Sequence, residues 1–224
     1  KLMDELAELD AERAKLAQKR GRAILEDAEA RIREAGAENV TTKLRNGDIL
    51  EELAILSEGA DLVCIGKRGE SADFAKLHIG SNVERVVRAC AVPILVTSRA
   101  FKPIENFLIA FDGGTSSLKA VKMVADSALF KGLNAHVVTI GQDDAETKRK
   151  IEGAAASLSK AGYAPETQIT QGAPEVVISE RTEDGSIDML VMGAYGHSRI
   201  RSLIIGSTTT AMIRSCQVPL LLFR

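Results

Sequence analysis

Tryptophan is missing from this chain of 224 residues, and aromatic residues make up only 4% of it. A protein so poor in flat rings has little on which to stack bases. The net charge is −2, from 29 Lys and Arg against 31 Asp and Glu. Any basic patch would have to be local, and no nucleic-acid partner is expected. No apolar run approaches the roughly 20 residues that cross a bilayer, so no membrane association is expected either. Cysteine is scarce: Cys64, Cys90 and Cys216 are odd in number and lie in apolar surroundings. They read as buried thiols of a reducing compartment, hence a cytoplasmic protein, and not as a disulfide framework. None has another cysteine or histidine at ligand spacing, which argues against a zinc centre.

The familiar catalytic signatures are absent too. There is no G-x-x-x-x-G-K-[ST] phosphate loop, no G-x-S-x-G elbow and no carboxylate pair at an obvious strand end. The strand–helix turns lack G-x-G-x-x-G, which weakens a dinucleotide-binding reading. No catalytic residue can be named, and rapid chemistry is not expected.

Apolar residues form 45% of the chain and charged ones 27%, which suits a globular protein with a sizeable core. The most informative stretch is Asp188–Thr210. An apolar strand, Met189–Met192, runs into Gly193-Ala-Tyr-Gly196, and Gly206-Ser207-Thr208-Thr209 then opens an amphipathic helix. Glycines let the backbone approach a ligand closely, and the free N–H groups of a helix's first turn point at bound charge. The anion this pattern suits is phosphate.

Periodicity predicts a long helix from Lys1 to about Ala35, bent or broken at Gly21, that covers a sheet. A strand at Asn39–Arg45 and a helix at 48–59 follow. Further strands are expected at Asp61–Ile65 and Val92–Thr97, around a short helix at Asn82–Cys90. Residues 100–105 (AFKPIE) read as a linker. Beyond it come strand Phe107–Phe111, helix Ser116–Leu129, strand Ala135–Ile140, helix 145–161, strand Glu166–Thr170 and helix Pro174–Arg181. Strand Met189–Met192, helix Thr209–Cys216 and strand Val218–Phe223 complete the order. Alternating strands and helices imply α/β architecture with a parallel, doubly wound sheet.

The two halves repeat. Asp61-Leu-Val-Cys-Ile-Gly66-Lys-Arg-Gly69 aligns with Asp188-Met-Leu-Val-Met-Gly193-Ala-Tyr-Gly196. Gly80-Ser81 aligns with Gly206-Ser207, and Arg88-Ala-Cys90-Ala-Val-Pro93 with Arg214-Ser-Cys216-Gln-Val-Pro219. The first copy has ten residues between its glycine pair and its Gly-Ser turn; the second has nine. A tandem duplication follows, with domains at 1–99 and 106–224 and the linker between. The first copy lacks a counterpart of strand–helix–strand Phe107–Ile140. Because the chain opens on Lys1, a segment upstream is expected to be absent from this sequence.

In open parallel sheets, ligands bind beyond the carboxyl ends of the strands, where strand order reverses. In the second copy two loops suit that place, Asp112-Gly113-Gly114-Thr115-Ser116 and Gly193–Gly196. Asp112 could accept a ribose hydroxyl or help hold magnesium; equally, it could be a turn residue ahead of an N-cap at Ser116. Arg199, Arg201, His197 and Tyr195 could face phosphate or solvent. His78 and His136 have no evident partner and read as structural.

These motifs resemble those of a tandem universal stress protein. The likeness rests on Phe107–Phe111 ending in Asp112, on MGAYG followed by nine residues and GSTTT, and on the closing VPLLLFR. It covers 106–224 in full and about 1–99 as the incomplete copy. The resemblance implies five-stranded parallel sheets of order 3-2-1-4-5, with ATP or another adenine nucleotide as ligand, with or without magnesium. Adenine would lie near Ile140, ribose near Asp112 and Gly113, and Met192 would line the pocket. The phosphates would meet Gly193, Gly196, Gly206, Ser207 and Thr208. Gly66, Gly69, Gly80 and Ser81 would form a degenerate half-site. It further implies that the last strands, Val92–Thr97 and Val218–Phe223, pair across a pseudo-dyad, and that whole chains could associate as homodimers. The function implied is nucleotide-responsive regulation of the stress response. The alternatives are an interaction module with a vestigial pocket, and a slow ATPase with Asp112 on magnesium.

Overall fold

The computed structural model describes residues 2–67, 81–98, 100–194 and 206–224, and of Ser81 the backbone alone. Spatially the chain divides into two compact units, Lys1–Asp48 and Ile49–Arg224.

The first unit holds helix α1 (Leu2–Glu34), rich in Leu, Ala, Glu and Arg, all strong helix formers. Asp4 and Glu5 in its first turn and Arg31 and Arg33 in its last complement the helix dipole. None of its residues is buried, and Leu6, Leu9, Leu16 and Ile24 are exposed. The helix runs unbroken through Gly21. A β-carbon there would lie 2.7 Å from Leu44 Cδ1, so this glycine makes room for the returning chain. Residues 39–45 are not a strand. Alternating polarity favours a strand only where a neighbouring strand takes up the backbone groups. Here the Arg33 guanidinium instead donates to the Glu38 and Val40 carbonyls, at 2.8 and 3.3 Å.

In the second unit, α2 (Ile49–Leu56), β1 (Val63–Gly66), α3 (Ser81–Ala89) and β2 (Ile94–Thr97) come from the first copy. The second copy supplies β3 (Asn106–Ala110), α4 (Thr115–Asp126), β4 (Asn134–Ile140), α5 (Ala145–Lys160) and β5 (Glu166–Thr170). It continues with α6 (Pro174–Glu183), β6 (Met189–Gly193), α7 (Ser207–Ser215) and β7 (Leu220–Phe223). A 3-10 turn at Ala128–Phe130 ends the segment after α4, so this helix is shorter than its periodicity predicts.

The described strands form one sheet in the order β1-β2-β7-β6-β3-β4-β5. Every pairing is parallel except β2 with β7, where Ile94, Leu95 and Val96 face Leu222, Leu221 and Leu220. Both strands are apolar without alternation, and two such bare edges cover each other by pairing.

Helices pack on both faces. On one, Val83, Val86 and Val87 of α3, Ile178 of α6, and Met212 and Ile213 of α7 meet Ile94, Leu108, Leu190 and Leu220. On the other, Val121 and Val124 of α4, with Ile151 and Leu158 of α5, meet Phe107, Ile109, Val191 and Leu221. Phe107 also takes Phe130 edge-on at 5.3 Å.

At the amino end of β6, Asp188 gathers the linker. Its Oδ2 accepts the Glu105 and Asn106 N–H groups, each at 3.0 Å, and its Oδ1 lies 2.6 Å from Lys102 Nζ. Cys90 and Cys216 are buried as expected, whereas Cys64 is exposed on β1, which has only β2 beside it among the described residues. His136 of β4 does have a partner, Glu166 Oε2 on β5, at 3.2 Å in the strand register.

Candidate functional site

The carboxyl ends of β3 and β6 are neighbours, with Ala110 opposite Met192. The Asp112 loop and Gly193 therefore leave the sheet side by side. Gly193 faces the first turn of α4, where a β-carbon on it would stand 2.9 Å from Ser116 Cβ and 3.2 Å from Ser117 N. Such distances are below what real side chains tolerate, so this position requires glycine for close approach of backbone to backbone.

Asp112 closes the opposite lip. Its Oδ1 accepts the Gly114 N–H at 2.8 Å and the Ser117 hydroxyl at 2.6 Å, which fixes the turn into α4. The turn role weighed for Asp112 is thus present, but its partner is Ser117, and the helix starts before Ser116. Gly113 takes φ +73° in this turn and lies under the aliphatic stem of Lys150, whose Nζ pairs with Glu146 at 2.6 Å.

Across the site, α7 begins after Gly206. Thr209 Oγ1 reaches the Ala194 and Gly193 carbonyls at 3.2 and 3.4 Å, fastening the helix start to the end of β6. Neither Gly114 nor Gly206, the residues that precede α4 and α7, supplies a capping side chain. The contrast is α5, where the Asp144 carboxylate caps the Thr147 N–H. Two helix starts with N–H groups left to other partners thus flank the ends of β3 and β6, an arrangement that favours an anion. Ser207 is exposed and Thr208 half-buried at the opening of α7. Met192 is buried, and Ala110 and Ile140 pack on the same face of the sheet, giving the strand ends an apolar floor.

Gly196, with Tyr195, His197, Arg199 and Arg201, lies outside the described residues, as do Gly69, Gly80 and His78. Of the first copy's half-site the structure places Gly66, at the end of β1 opposite Thr97, and the Ser81 backbone, which opens α3. Sequence reading overlooked Ser117, Thr209 and Lys150. For Thr209 a signal existed, since three threonines follow Gly206-Ser207, but nothing local says which one turns inward. Among the described residues no group of three or more His, Cys, Asp or Glu converges to hold a metal. No helix among them is long and apolar enough to cross a membrane.

The sequence pattern of the universal stress protein family matches the chain twice, over residues 2–98 and 103–224. The chain belongs to the universal stress protein family. The double match makes it a tandem member. It is 38% identical over 225 residues to the universal stress protein Slr1230 of a Synechocystis species, covering all of this chain and 78% of that one. A shorter match, 28% over 79 residues, joins it to the universal stress protein MJ0577 of Methanocaldococcus jannaschii, with 35% and 49% of the two chains covered. The crystal structure of a universal stress protein from Archaeoglobus fulgidus shares the fold. Its TM-score is 0.74 at 22% identity, covering 92% of this chain and 79% of that one.

Proposed function

We propose that the second copy, residues 106–224, binds an adenine nucleotide, with ATP as the ligand. The chain then acts as a cytoplasmic, nucleotide-responsive regulator of the stress response and not as a rapid catalyst. The observation that carries this reading is the approach of Gly193 to Ser116 and Ser117. It brings the end of β6 onto the first turn of α4, while Thr209 holds the first turn of α7 to the same strand end. Phosphate placed there meets glycine backbone and the N–H groups at two helix starts. Gly193, Gly196, Gly206, Ser207 and Thr208 take this role. The resemblance assigns adenine to the apolar floor near Ile140 and Met192, and ribose to Asp112 and Gly113.

Asp112 is a single carboxylate whose Oδ1 already accepts two hydrogen bonds. Magnesium would therefore be carried chiefly by the nucleotide's own phosphates, with Asp112 at the ribose side. This favours binding over hydrolysis as the site's task. Equilibrium titration with ATP and magnesium tests the reading. Saturable binding below millimolar ATP that is lost on Ser207→Trp supports it; absence of binding at millimolar ATP overturns it.

A further inference from the structure

Helices α3 and α7 each end against a basic side chain from the other copy. Lys67, just past β1, donates from Nζ to the Cys216 carbonyl at 2.5 Å, directly after the last turn of α7. In the reverse sense, Arg224 after β7 donates from Nη1 to the Arg88 carbonyl in the last turn of α3, at 3.0 Å. Between these two clamps the Arg214 guanidinium of α7 meets Glu84 of α3 at 3.1 Å. The antiparallel pairing of β2 with β7 is what brings the two helices to one face with these ends in reach.

The residue at this position differs between the copies. Lys67 follows Gly66 where Ala194 follows Gly193, and Ala194 is buried. Lys67 is half-buried, and its ammonium reaches a helix end whose carbonyls lack intrahelical partners and carry partial negative charge. The opposite end of the same helix is Gly206-Ser207-Thr208. Nine residues of helix span about 14 Å, so the Lys67 ammonium makes no contact with a phosphate held at the opposite end. What it can do is hold the helix in place, completing at the C-terminus what Thr209 does at the N-terminus.

We propose that Lys67 is a positioning residue for the nucleotide site of the second copy: it clamps α7 from the first copy and so presets the phosphate-binding turn. This rests on the reading that the first turn of α7 holds phosphate. The first copy thereby serves its neighbour's site through the start of its own glycine loop.

The full-length chain is compared with its Lys67→Met and Lys67→Arg variants by amide hydrogen exchange without ligand and by ATP titration. In Lys67→Met, exchange across residues 211–216 speeds up about two- to fivefold and ATP affinity falls by a similar factor, while α5 exchanges as before. Lys67→Arg, which keeps a cation on the carbonyl, restores both. Unchanged exchange in α7 overturns the clamp, and faster exchange with unaltered ATP affinity overturns its positioning role. If the unmodified chain binds no ATP, the nucleotide reading fails, and the exchange result then judges the clamp separately.

Discussion

Gly193 at the end of β6 and Ser116 in α4 stand so close that a β-carbon on residue 193 would come within 2.9 Å of Ser116 Cβ. The nearest atoms are a short side-chain carbon and backbone, neither of which can swing aside. Gly193→Ala therefore pushes β6 and α4 apart, at a cost of about 1–3 kcal/mol and a fall in Tm of roughly 2–10 °C. ATP binding should weaken at least tenfold, since the two lips of the site separate. Thermal unfolding and ATP titration of this variant check both, and an unshifted Tm would mean the contact is looser than described.

Asp188 and Lys102 make a second relationship, away from the site. Burial alone would raise the Asp188 pKa, but the Lys102 ammonium and the Asn106 and Glu105 N–H groups outweigh it and hold it at about 2. A carboxyl depressed from its ordinary 3.8 contributes stability that is complete above about pH 4 and is lost as the pH falls through 2. The contribution is on the order of 2 kcal/mol. Asp188→Asn should be less stable than the unmodified chain by that amount at pH 7, with the gap closing between pH 4 and pH 2. Urea unfolding across this range measures it; a gap that persisted at pH 2 would contradict the assignment.

Thr209 joins the start of α7 to β6 through one buried hydroxyl. Thr209→Val keeps the shape and removes the donor, leaving the Ala194 and Gly193 carbonyls without it. The expected cost is about 1–2 kcal/mol. Thr209→Ser, which keeps the hydroxyl, should recover most of it, together with ATP affinity. A denaturation midpoint for Thr209→Ser no higher than that of Thr209→Val would contradict the hydroxyl's role, and a lower one would assign the stability to the methyl.

Much of the second copy was legible because its signals are local. The unbroken apolar runs Phe107–Phe111 and Met189–Met192 fall on β3 and β6 within one residue. Periodicity on α5 exposed Ile151 and Leu158, which are core residues. Where local pattern misled, a distant partner decided. Residues 39–45 alternate like a strand but are not one, and Arg33 takes up part of their backbone. Gly21 looked like a break, yet a single glycine costs a long helix only about 1 kcal/mol, and Leu44 occupies the space it leaves.

The candidate site was legible as two glycine loops and an acid, since strand–loop–helix patterns are written in consecutive residues. Its internal bracing was not. Ser117 on Asp112 and Thr209 on Ala194 depend on how loops fold back, and Lys67 on Cys216 spans most of the chain. The single sheet depends on β2 meeting β7, a pairing expected from the family resemblance and not from any stretch of either strand alone.

The central claim is an adenine-nucleotide site in residues 106–224, and equilibrium binding of ATP with magnesium to the purified chain tests it most directly. The account predicts one nucleotide bound per chain, saturating below millimolar ATP, with binding lost when Gly206 and Ser207 are replaced by Val and Trp. No saturation at millimolar ATP, or binding unchanged in that double variant, would contradict it.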